Sequence, residues 1–142
     1  MSSPIEILAS GLSVARLRVN VLASNIANAE TTRTPEGGPY RRKDVVQVAT
    51  SFQSAFDSAL DRMTLSKPSV VAVVEDQSEP RRVYQPGHPD ADQDGYVAYP
   101  NINVVTTMTD LMSASRLYQA NASAVETIKQ MERDARMISG AY

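Results

Sequence analysis

The sequence predicts an α+β fold in which long N- and C-terminal helices, paired as an antiparallel or bundle-like coiled coil, bracket a small loop-rich β module. Three observations predict it. Apolar residues recur at helical spacing at both ends of the chain, and seven of the eight prolines fall between residues 31 and 103. That middle stretch also carries short β-branched runs bounded by Gly and Pro. The expected division is therefore a helical part made of residues 1–30 and 104–142 and a central module of residues 31–103.

In the first segment Ile5, Leu8, Leu12, Ala15, Val19, Leu22 and Ile26 alternate spacings of three and four, the seam of a heptad repeat. Ser2 or Ser3 can cap this helix ahead of Pro4, whose missing N–H is no loss in a first turn. At about 1.5 Å per residue the segment from 4 to 29 is roughly 39 Å long, too long to bury its seam without a partner. The partner is the other end. From residue 104 to 138 there is no Pro or Gly, and two overlapping stripes run along the helix. One is Val104, Met108, Leu111, Ser115, Tyr118, Ala122 and Val125; the other is Ala114, Leu117, Asn121, Ala124, Ile128, Met131, Ala135 and Ile138. Two offset stripes fit either contact with more than one neighbour or one wide core-facing surface.

The middle holds candidate strands at residues 45 to 48 and 70 to 74, the first preceded by Gly37, Gly38 and Pro39, the second followed by Pro80. Residues 81 to 84 and 96 to 99 form a candidate hairpin around the loop from Pro86 to Gly95. A short helix is expected over residues 51 to 63, where Phe52, Phe56, Leu60 and Met63 have helical spacing.

Composition excludes much chemistry. The 142 residues carry a net charge of -2, which supplies no footprint for nucleic acid or an anionic membrane. With no Cys and one His, a zinc site of the usual kind, a disulfide and a thiolate nucleophile cannot be built. Arg16 and Arg18 interrupt the apolar N-terminal stretch, and no basic region precedes it, so neither a membrane span nor a cleaved signal is expected there.

The run Asp90, Asp92, Asp94, Gly95 matches the first half of a calcium loop, but the twelfth position is Asn101 rather than a bidentate Glu, and no entering helix is possible beside Pro86 and Pro89. An Asp-rich turn is the reading. His88 lacks a serine in an activated turn to serve, and Arg41, Arg42 and Lys43 are too few for a polyanion site. No cofactor, metal or small-molecule substrate is expected.

Particular residues carry a resemblance. Ser24-Asn25-Ile26-Ala27-Asn28 followed by Thr31 and Thr32 resembles the N-terminal signature of flagellar axial proteins, the rod, hook and hook-associated subunits. Residues 32 to 42 resemble the proximal-rod members in particular, as do His88 to Ala91, Asp94 to Val97, and Met108 to Leu111 with Tyr118 and Asn121. Thr106 and Thr107 depart from the pattern, standing where acidic residues would precede the Met.

The resemblance implies a non-enzymatic rod subunit, exported unfolded by the flagellar type III system without a cleaved signal. It would assemble in the periplasm into a helical tube around the export channel, as part of the drive shaft for motility. Its partners would be itself, other flagellar rod proteins, and the MS ring and export apparatus at the base. Subunit contacts are then expected from Leu8, Leu12, Val19, Leu22, Asn25, Ile26 and Asn28 on the first helix. On the second they are expected from Met108, Leu111, Leu117, Tyr118, Asn121, Val125 and Ile128, with loop contacts from Tyr40, Arg41 and Arg42. The alternatives open at this point are another rod or hook subunit, or a periplasmic enzyme or binding module acting on peptidoglycan. The latter lacks paired carboxylates in a scaffold.

Overall fold

The computed structural model describes residues 4 to 51 and 66 to 140. In chain order the elements are α1 (Pro4–Ala27), β1 (Lys43–Ser51), β2 (Ser66–Glu75), β3 (Arg81–Tyr84), β4 (Tyr96–Tyr99) and α2 (Val104–Ser139). The α+β class is as expected, and β3 and β4 fall where the sequence places them. Apart from Ser51, the short helix expected over residues 51 to 63 lies outside the described residues.

Helix α1 runs 24 residues and ends through its own side chains. Asn28 donates to the Ser24 carbonyl from both its backbone N–H (3.0 Å) and its Nδ2 (2.9 Å), and Thr31 Oγ1 returns a bond to Asn28 Oδ1 at 3.2 Å. The Asn28 amide therefore adds a second donor to a last-turn carbonyl that a glycine turn would otherwise serve, and Thr31 holds that amide in place. Helix α2 is half as long again at 36 residues, and Asn103 caps it by accepting from the Thr106 N–H at 3.1 Å.

The strands form two separate antiparallel pairs. In the β1–β2 ribbon Lys43 faces Glu75 and Ser51 faces Ser66, with an irregularity between Val46 and Gln47 that leaves Val71 without an opposite residue. Both strands are longer than the valine runs suggested. Once one valine segment has a hydrogen-bonding partner, pairing extends through the flanking polar residues whatever their individual propensity. In the β3–β4 hairpin Arg81 faces Tyr99 and Val83 faces Val97.

Helix α1 is the centre of the arrangement, since α2 packs against it and so do β1 and β2. The apolar core is small. Among the described residues Val14, Ala15, Ala29, Val97 and Ala114 are its buried members, while thirteen large hydrophobic side chains stay exposed. A chain of this length that completed its own core would bury about two thirds of its surface. Along α2 the half-buried and buried positions, from Val104 through Thr107, Leu111, Ala114 and Tyr118 to Ile128, stop there, and the side chains described beyond it are all exposed.

Candidate assembly site

Two features could serve a structural role: the open faces of the helices, and a polar junction where α1 hands the chain to the β module. In the junction, Asn25 is buried at 1% exposure among the last turns of α1. Its Nδ2 donates to the Lys43 carbonyl at 2.7 Å, and its Oδ1 accepts from the Lys43 N–H at 2.9 Å and from the Tyr40 hydroxyl at 3.1 Å. Ser24 Oγ stands 3.3 Å from the Tyr40 hydroxyl, which has given its proton to Asn25, so Ser24 is the donor there.

The segment from 29 to 43 reaches from this point to both ends of the β3–β4 region, near the end of β2 on one side and the β3–β4 loop on the other. Arg42 pairs with Asp76 at 3.5 Å while its carbonyl accepts from the Asp76 N–H at 2.8 Å, and Arg41 Nη1 donates to Gln77 Oε1 at 2.6 Å. On the other side Thr32 Oγ1 donates to Asp90 Oδ2 at 2.8 Å, with Arg33 3.9 Å from the same carboxylate. Gly37 and Gly38, both at positive φ, let the loop fold back so that the Thr34 N–H reaches the Gly38 carbonyl at 2.9 Å.

The Asp-rich turn closes the β3–β4 connection. Asp92 Oδ1 accepts from the N–H groups of Asp94 (3.0 Å) and Tyr96 (2.8 Å), and Oδ2 accepts from Arg82 Nη2 at 2.6 Å. The Tyr96 N–H, helped by Asp94 and Arg82, holds this carboxyl below its ordinary pKa against a smaller opposing effect of burial. Asp76 is likewise held low, chiefly by hydrogen bonds from Ser78, with Arg42 adding its charge. Asp90 is taken up by Thr32 and Arg33, while its N–H donates to His88 Nδ1 at 3.1 Å. Among the described residues no three His, Cys, Asp or Glu side chains converge as a metal ion would require, and no helix is long and apolar enough to cross a membrane.

The residues expected to make subunit contacts divide into three groups. Leu8, Leu12, Val19, Leu22 and Ile26 on α1 and Leu111, Tyr118, Asn121, Val125 and Ile128 on α2 are half-buried. Met108 and Leu117 are exposed, as are Val105, Met112, Met131, Met137 and Ile138 elsewhere on α2. Asn25, Asn28, Tyr40, Arg41 and Arg42 all bond within the chain. Sequence reasoning missed Lys43 and Asp76 as partners in the junction. A backbone group and a carboxylate more than thirty positions from its arginine leave no local pattern to read.

A two-helix frame whose longer helix leaves large apolar side chains exposed along its length, and whose polar groups tie segments together, has the character of a structural subunit of the axial type. Family comparison places it further. Residues 5–33 match the model described as flagella basal body rod protein, and residues 93–136 match that of the flagellar basal body rod FlgEFG protein C-terminal. The flagellar basal-body rod protein FlgC of Borreliella burgdorferi is 38% identical over 96% of this chain and 95% of its own. FlgC of Salmonella typhimurium is 44% identical over 89% of this chain and 88% of its own, and that of Bacillus subtilis 37% over 89% and 90%. The chain belongs to the FlgC family of flagellar basal-body rod proteins.

Proposed function

We propose that the chain is a structural subunit of the flagellar basal-body rod, not an enzyme, and that it assembles with copies of itself and other rod components through its terminal helices. Residues 1–30 and 104–142 form the inner layer around the export channel, and residues 31–103 face outward against neighbouring subunits. The chain reaches the periplasm through the flagellar export route, and the rod it helps build meets the MS ring and export apparatus at the rod's base.

One observation carries this reading beyond family membership: the mismatch between the helices. Burial on α2 ends at Ile128, about one length of the 24-residue α1 from its start, so the last third of the 36-residue helix has no cover from α1. An antiparallel pair accounts for it, with the end of α1 beside the start of α2. Such a subunit keeps a continuous apolar seam open at one end, and closing it requires another helix. Burial at about 25 cal/mol per Å² of apolar surface then supplies the drive for assembly.

The test is Leu12→Asp or Leu22→Asp on the half-buried face of α1. A carboxylate there would be buried without a partner, at a cost of several kcal/mol repeated in every subunit. The variant is expected in the secreted fraction, with few completed basal bodies and no swimming. Normal motility of both variants would overturn the assembly role of this seam.

A further inference from the structure

An amide side chain carries one acceptor and one donor group, and at Asn25 both are directed at a single residue's backbone, the Lys43 N–H and the Lys43 carbonyl. Two residues opposite one another in an antiparallel sheet exchange the same pair of bonds. The Asn25 amide thus stands in for the peptide group of a third strand on the edge of β1 that faces away from β2. Around it the Ser24 hydroxyl, the Tyr40 hydroxyl and Asn25 Oδ1 form a chain of hydrogen bonds that closes only when the last turns of α1 and residues 40 to 43 are both in place. Other side chains do not fit. Ala has neither group, Ser and Thr present one atom, ionised Asp has no donor for the carbonyl, and Gln is a methylene longer in a site with no space to spare.

We infer that Asn25 is a positioning residue, a joint that makes the end of α1 and the start of the β1–β2 ribbon order as one unit and fixes the direction in which the ribbon leaves the helix. Every group in the joint belongs to one chain, so it operates in the isolated subunit and stands or falls independently of the assembly reading. It also gives Asn25 a role inside the subunit rather than at a contact between subunits.

The experiment measures amide protection factors by hydrogen exchange in the full-length, unassembled protein. In Asn25→Ala, protection is expected to fall together at the last turns of α1 and along β1 and β2, by about tenfold or more for three lost hydrogen bonds, with the β3–β4 hairpin unchanged. Asn25→Asp gives the signature that packing alone would not. Ionised, it sets an oxygen against the Lys43 carbonyl; protonated, it regains a donor. Its deficit should therefore shrink as the pH falls through the titration of the new carboxyl, while that of Asn25→Ala does not. If Asn25→Ala fails to fold, Tyr40→Phe decides, because it removes the bond to Oδ1 and the acceptor of the Ser24 hydroxyl, and should lower protection at both elements by about fivefold or more. Loss confined to the helix end or to the ribbon, a pH-independent Asn25→Asp deficit, or an unprotected Lys43 amide in the unaltered protein would each overturn the inference.

Discussion

Met131→Glu separates the stability of the subunit from the stability of the assembly. Met131 is 64% exposed, in the part of α2 that extends beyond the burial seam, and Ile138, one heptad on, is 74% exposed. Glu and Met have nearly equal helix propensity, so the exchange leaves the local helix intact. In the purified chain the expected change in unfolding free energy is within about 0.5 kcal/mol, the ordinary result for an exposed site. In the assembled rod, a covered Met contributes about 2 kcal/mol of burial, and losing it weakens each subunit contact about thirtyfold before any desolvation of the carboxylate. Urea unfolding of the purified protein reports the first quantity. Soft-agar swimming, with secreted protein and basal bodies scored separately, reports the second. Two results would refute the reasoning. Normal swimming would mean that no neighbour covers this end of α2, and a loss of more than about 2 kcal/mol in the isolated chain would mean that Met131 is already buried within the subunit.

Gly95→Ala should destabilise the protein by more than Gly37→Ala. Both sites have positive φ, costing a side chain about 1–2 kcal/mol, but a Cβ at Gly95 would lie 2.9 Å from Tyr84 Cε2 and 3.2 Å from Pro86 Cβ, whereas Gly37 has open space. Thermal or urea unfolding of the two variants compares them, and equal losses would show that the Tyr84 ring yields freely. The β3–β4 turn should also loosen in acid. Because the folded-state pKa of Asp92 is lowered, its stabilising effect is present above the ordinary carboxylate range and is lost as the pH falls through that lowered value. Hydrogen exchange at Asp94 and Tyr96 follows it. Asp92→Asn, which keeps an acceptor for both N–H groups, should remove most of that acid dependence.

The helices and the β3–β4 hairpin were legible in the sequence because each is specified by local spacing. A 3.6-residue period with Pro4 at one end sets α1, and a proline-free run sets α2. Alternating residues on either side of a proline-bounded loop set the hairpin. The family resemblance in residues 24 to 42 was legible because it rests on a consecutive run of residues, and that segment includes Asn25 and Tyr40 of the junction and ends beside Lys43. What each residue there holds was not legible. The Asn25 amide meets Lys43 eighteen positions away and Thr32 meets Asp90 fifty-eight positions away, and only a folded chain brings such pairs within 3 Å. The balance between the two stripes on α2 was likewise left open by periodicity. Spacing says which residues share a face, while the length of the partner helix decides how far along that face is covered. Here α1 is a third shorter than α2, and that difference, a property of the packed pair, leaves the end of the seam open.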